Sequence, residues 1–198
     1  MLAVARSAAC TEGVAITWHE GIAESLPFPD ASFDHVLMQQ VLQYVQDPIV
    51  ALSEMGRVLI AGGRVVSSTW SAIEQNPVHH ILARAVERHL GTAAMQTQFA
   101  LGGPAVLGHL FADAGFEEIT ITVATRTDDL PLPDRFVGFA IAGAVAAMPA
   151  LQDMDAQARE RLVAAIHDEV TIPLKRYTKD AFIITPMEAH IVLARKPD

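Results

Sequence analysis

Apolar residues along this chain recur at two spacings, and the spacing changes at glycines and prolines. Residues 2–9 read as the end of a helix, stopped by Gly13. Residues 14–19 read as a short strand. Residues 26–34, Leu-Pro-Phe-Pro-Asp-Ala-Ser-Phe-Asp, form a turn-rich connection, because proline removes donors and Asp and Ser favour turns. An apolar strand of the buried kind follows at 35–39. Asp47 then caps a helix with Pro48 in its first position. Ile49, Leu52, Met55 and Leu59 share one face of it, and Gly62-Gly63 supplies the stop. Residues 64–70 are rich in β-branched side chains and predict another strand.

Further on, the pattern predicts helices over 77–90, closed by Gly91, and over 104–114, closed by Gly115. In the second, Val106, Leu107, Leu110 and Phe111 fall on one side. Ile119, Ile121 and Val123 alternate with threonines as a half-buried strand. A break at Pro131–Pro133 precedes two helices, 134–148 and 155–170, the second capped by Asp155. Residues 189–194 form a last strand. The expectation is one domain, a sheet core of 1–127 and 187–198 with a mostly helical insertion at 128–186. That insertion is either a cap over a pocket or ordinary helical packing on the sheet.

The length of 198 residues suits a single α/β domain, and 51% hydrophobic residues can bury a sizeable core. A formal charge of −9 argues against a nucleic-acid partner, which needs clustered Lys and Arg. The one cysteine, Cys10, excludes an intrachain disulfide and a multi-thiolate metal cage, so no metal is expected. It fits a reducing compartment. No signal peptide is seen, and the longest apolar segment, 136–148, falls short of the ~20 residues a membrane span needs. The expectation is a cytoplasmic protein with no membrane partner.

Residues 23–34, Ala-Glu-Ser-Leu-Pro-Phe-Pro-Asp-Ala-Ser-Phe-Asp, resemble the AExLPFPDxSFD signature of class I S-adenosylmethionine-dependent methyltransferases of type 11. Residues 36–40 are then similar to that family's fourth strand. Glu54, Arg57-Val58-Leu59 and Gly62-Gly63-Arg64 resemble the segment before its fifth strand, and Ala114-Gly115-Phe116 the opening of its sixth. The matches run in order along most of the chain and are specific jointly rather than singly. By themselves these residues are structural: prolines and Asp30 pin a connection, Phe28 and Phe33 anchor it, and Asp34 bonds nearby backbone.

The resemblance implies a Rossmann-like sheet with S-adenosyl-L-methionine across the carboxyl ends of its strands. Ile22 and Ala23 take the positions that touch the adenine, and Gln39, Gln40 and Val41 border the cofactor after the fourth strand. Where the family commonly has an aspartate for the adenine amino group, this chain has Ile22, which accepts no hydrogen bond. The family's glycine-rich turn is missing, since no Gly-x-Gly occurs anywhere in the sequence. Met1 to Arg6 resemble the helix after the family's second strand, so the expected sheet lacks its first two strands. Residues 14–19 would then lose their usual neighbour. A longer gene product, a rearranged sheet or a second chain, as in a homodimer, would each resolve this. A truncated monomer is expected to bind the cofactor weakly or not at all.

Methyl transfer relies on proximity and orientation, and it needs a base only when the accepting atom carries a proton. Among the eight histidines, His79 follows the fifth strand and His190 lies two residues from Glu188, which puts the pair on one strand face. For each, a structural hydrogen bond is the competing reading. Trp70 and Tyr177 offer stacking faces, and Arg84 with Arg88 an anion pair, against the alternatives of core and solvated face. Two functions stay open: methylation of a small molecule of unknown acceptor atom, or a non-catalytic methyltransferase-like protein or partner subunit that does not bind the cofactor alone.

Overall fold

The computed structural model describes residues 2–144 and 149–198. It contains helices α1 (Leu2–Thr11), α2 (Pro48–Val58), α3 (Pro77–Leu90), α4 (Pro104–Asp113), α5 (Pro133–Ala144), α6 (Pro149–Gln152) and α7 (Ala156–Leu174). Its strands are β1 (Phe33–Gln39), β2 (Leu59–Trp70), β3 (Glu117–Pro131), β4 (Thr178–Lys179) and β5 (Phe182–Arg195). The sheet order is β1-β2-β5-β3, with β4 beside β5. β1 and β2 are parallel, joined by the α2 crossover, and β5 inserts antiparallel between β2 and β3.

Local chemistry accounts for the helix ends. The Asp47 carboxylate accepts from the Ile49 and Val50 N–H groups at 3.0 and 3.1 Å, with Pro48 behind it. Such a cap contributes about 1 kcal/mol. Gly91 closes α3 at φ 65°, a left-handed turn that costs other residues about 1–2 kcal/mol. Asp155 caps α7 through Ala158 N–H at 2.7 Å.

Two cores follow from two layers. Leu52 and Met55 of α2 and Leu107 and Phe111 of α4 cover one sheet face, meeting Val65 and Val192. α3, α5 and α7 pack together around Val86, Ile141 and Ile166, with Ile183 of β5 joining them. Each fully buried side chain of this kind contributes about 1.5–3 kcal/mol.

Several expectations need correction. Residues 14–19 form no strand: Val14 and Ile16 are exposed, and among the described residues β1 pairs only with β2. β-Branched residues form a strand only where a neighbouring strand supplies the ladder. α2 stops at Val58, before Gly62-Gly63, and those glycines lie inside β2. Ile49 and Val106 are exposed rather than inward. β3 runs to Pro131 and β5 begins at Phe182, so both strands enter the stretch read as helical. The end of the helix expected over 134–148 lies outside the described residues beyond Ala144.

The 26–30 connection is held by one arginine. Arg57 meets Glu54 through Nε at 2.8 Å and Nη2 at 2.9 Å, and donates to Phe28 O, Leu26 O and Asp30. Glu54 also accepts Leu26 N–H at 2.9 Å. Hydrogen bonds from Arg57 and then from Leu26 hold the Glu54 carboxyl down at about 2. A depressed carboxyl contributes stability above its unfolded value and loses it as pH falls toward the folded one. Glu54→Gln is therefore expected to lower stability at pH 7 by about 2 kcal/mol. The gap between variant and parent should close as pH falls from 4.5 toward about 2 in denaturant titrations. A gap unchanged across that window contradicts the assignment.

Candidate functional site

β2 ends at Trp70, level with Ala189 of β5 and Ala124 of β3, while β3 and β5 continue together for several residues. The step creates a cavity of about 480 Å³ over the carboxyl ends of β1 and β2. Its floor is Met187, Ala189 and Ile191; Trp70, Gln39 and Gln40 line one side and Arg126 with Asp128 the other. A second cleft of similar volume, about 480 Å³, is lined by Ile22, Ala23, Glu24, Val41 and Tyr44. Gln40 and Val41, adjacent in sequence, line the first and second cleft respectively.

The backbone between the clefts is strained. Gln40 has φ 54°, a conformation that costs a non-glycine residue roughly 1–3 kcal/mol and clusters at functional sites. It turns the chain sharply out of β1, and Gln40 N–H still bonds Ser68 O at 2.9 Å. Gln43 donates to Gln40 Oε1 at 2.8 Å. That contact engages the Gln40 side-chain oxygen, and the Gln40 amide donors have no protein partner among the described residues. Gln43 Oε1 is buried without a hydrogen-bond partner among the described residues. Across the second cleft, a bond from its own backbone N–H and then one from Gln46 N–H at 2.9 Å hold the Glu24 carboxyl below the usual range.

The histidines lie elsewhere. β5 alternates, so His190 and Glu188 point to the face opposite the cavity floor of Met187, Ala189 and Ile191. His190 is buried, with Nε2 at 2.9 Å from Gly102 O. A carbonyl only accepts, so Nε2 carries a proton there, while Nδ1 has no hydrogen-bond partner among the described residues. Glu188 is fixed through its backbone, donating to Asn76 Oδ1 at 3.0 Å and accepting from Ser71 N–H at 3.1 Å. His79 is wedged between Phe99 and Phe136, with ring centroids at 6.1 and 5.7 Å. Burial pushes it below the ordinary imidazole range, opposed by the charge of Asp128.

Thus the structure groups Ile22, Ala23 and Val41 in one cleft and Gln39 with Gln40 in the next, and His79, Glu188 and His190 line neither. Trp70 lines the cavity, whereas Tyr177 packs on the helical core. Arg84 pairs with Glu87 and Arg88 with Glu169, so both arginines are engaged on the surface. Arg126, Asp128 and Met187 were not singled out from the sequence. The polar run 125–129 shows no alternation, so nothing there marked a strand extending past Val123. Among the described residues no group of His, Cys, Asp and Glu could hold a metal ion, and no helix is long and apolar enough to cross a membrane.

Residues 1–67 match a family model described as a methyltransferase domain. The chain is 35% identical over 105 residues to the demethylmenaquinone methyltransferase of Deinococcus radiodurans, covering 49% of this chain and 44% of that protein. It is 33% identical over 110 residues to the malonyl-[acyl-carrier protein] O-methyltransferase of Erwinia billingiae, covering 47% and 44%. The matched stretch thus spans less than half of each of these relatives. Among solved structures, the YcgJ protein of Bacillus subtilis aligns over 100% of this chain and 79% of its own, with TM-score 0.57 and 21% identity. The [4+2]-cyclase SpnF aligns over 98% and 62%, with TM-score 0.52 and 23% identity. These two likenesses concern the fold, a mixed sheet with helices of the Rossmann-like methyltransferase kind. Residues 1–67 are thus similar to a methyltransferase domain, and the chain as a whole shares the Rossmann-like fold of the solved structures it aligns with.

Proposed function

We propose that this chain serves S-adenosylmethionine-dependent methyl transfer to a small molecule whose acceptor atom is open. One observation carries the reading: two clefts adjoin at the strained Gln40–Val41 turn, at the carboxyl ends of the parallel pair β1 and β2. That is where open α/β sheets bind ligands. The residues present fit the cofactor. Ile22, Ala23 and Val41 offer an apolar wall for a flat base, and the Gln40 amide donors suit a carboxylate. When bound, the cofactor supplies an electrophilic methyl group on sulfur. The chain's own part is to orient: Gln39 and Gln40 fix the amino-acid end, and the Met187–Ile191 floor seats the acceptor and sheds water. No proton transfer is placed on His190 or Glu188, which face away. Asp128 is the carboxylate lining the cavity.

A second reading is a methyltransferase-like domain that does not hold the cofactor alone, complete only as a homodimer or with another subunit. The exposed β1 edge, with Leu37 77% exposed, and the lack of any Gly-x-Gly favour it. SpnF, a cyclase by name, has this fold, so fold alone does not fix the reaction. Under either reading a cytoplasmic site fits the single cysteine.

Calorimetric titration with S-adenosylhomocysteine separates the two. The first predicts saturable binding, weak at a Kd of about 0.1–1 mM because backbone from a glycine turn is missing. Val41→Glu, at a half-exposed position, should weaken it at least about tenfold, since a carboxylate replaces apolar wall. Absence of any binding heat from the folded monomer supports the second reading.

A further inference from the structure

Most arginines of the chain are already engaged. Arg57, Arg84, Arg88 and Arg195 pair with carboxylates, and Arg159 donates to Leu151 O and Met154 O. Arg135 and Arg176 lie over Phe139 and Tyr177. Arg126 differs. It lines the sheet cavity and, among the described residues, has no ion-pair or hydrogen-bond partner.

Its neighbours make its surroundings directional. Arg126 pairs across the ladder with Met187 and shares its strand face with Ala124 and Asp128. Asp128 lies further out along β3, accepts Asp129 N–H at 3.2 Å and is close enough to bias the buried His79. Its charge repels an anion from that end and confines the anion to the Arg126 side. The protein as a whole carries −9 and repels anions, so any anion preference must arise locally.

The rest of the cavity sets the body of the ligand. Between the Gln40 turn and Arg126 lie Trp70, Met187, Ala189 and Ile191, an apolar floor with one aromatic wall. β1 and β3 are separated by three strand spacings, roughly 14 Å at about 4.8 Å each. We infer that the acceptor of the proposed methyl transfer is an elongated, mostly apolar molecule with an anionic group, held by Arg126 while its reacting end lies by Gln40. The inference rests on the methyl-transfer reading for the identity of the reacting end, and on Arg126 alone for the anion.

The test uses a matched pair, 6-hydroxy-2-naphthoate and 6-hydroxy-2-naphthamide, equal in shape and different in charge. Equilibrium dialysis against the 198-residue chain is expected to show the naphthoate bound at least about tenfold more tightly. R126Q should erase that preference without changing the melting temperature. R161Q, which removes the same charge from exposed Arg161 on α7, without a partner among the described residues, should retain it. Equal affinity for the two probes, no binding of either, or a preference that survives R126Q overturns the inference. S-adenosylhomocysteine binding without a carboxylate preference sinks this inference alone. A carboxylate preference without S-adenosylhomocysteine binding sinks the methyl-transfer reading and leaves the anion site.

Discussion

Gly102→Ala is expected to destabilise the protein by about 3 kcal/mol or more, beyond ordinary overpacking, because backbone cannot rotate out of the way. A Cβ at Gly102 would stand 2.4 Å from Ala72 N and 2.6 Å from both Ala72 Cα and Ser71 C. The loop would have to move, and with it Gly102 O, the partner of His190 Nε2 at 2.9 Å in a buried site. A buried ring nitrogen left unpaired adds its desolvation cost. In a chain of 198 residues the melting temperature should fall by about 6–12 °C. The neighbouring Gly103→Ala is the control. Its Cβ meets only Val106 Cγ2 at 3.6 Å, so a change under about 1 kcal/mol is expected. Equal effects at the two glycines would mean that the close approach at Gly102 is wrong.

Asn76→Ala is expected to cost about 2–3 kcal/mol. Asn76 is fully buried just past the end of β2, where the ladder to β5 gives out. Its side chain stands in for the missing strand residue. Oδ1 accepts Glu188 N–H at 3.0 Å, and Nδ2 reaches Glu188 O and Ala72 O, each at 3.3 Å. Removal leaves the Glu188 N–H without this acceptor beside the cavity floor. Asn76→Asp keeps that acceptor but turns a buried charge toward two carbonyl oxygens, so it should cost at least as much as alanine. Urea unfolding of both variants checks the order. An aspartate close to wild type would show that Nδ2 contributes nothing.

These two sites show what a one-dimensional reading captures. Asp47-Pro48, Gly91 and Asp155 announce helix ends because a cap acts within one turn of its own residue. The β1–α2–β2 order was legible for the same reason: each element carries its own period. Asn76 and Gly102 were not, since their partners lie 112 and 88 residues away for the Glu188 and His190 contacts. Residues 14–19 failed in the other direction. Their β propensity is real, but a strand exists only where a neighbour supplies the ladder. Ile22, Ala23 and Gln39–Val41 were expected at the cofactor from the family resemblance alone, and the fold puts Ile22, Ala23 and Val41 in one cleft and Gln39 with Gln40 in the next. The far side of the sheet cavity was hidden because Thr125 to Asp129 are polar on both faces. Pairing with β5, register by register from Thr125↔Glu188 to Asp129↔Ile184, makes them a strand and places Arg126 over the cavity.

The central claim is that the clefts flanking Gln40–Val41 hold the cofactor, and a two-dimensional amide NMR titration with S-adenosylhomocysteine tests it residue by residue even when binding is weak. The account predicts saturable shifts at Ile22, Ala23, Gln39, Gln40 and Val41, with a dissociation constant of about 0.1–1 mM. An unchanged spectrum at saturating ligand, or shifts confined to residues outside those clefts, would contradict it.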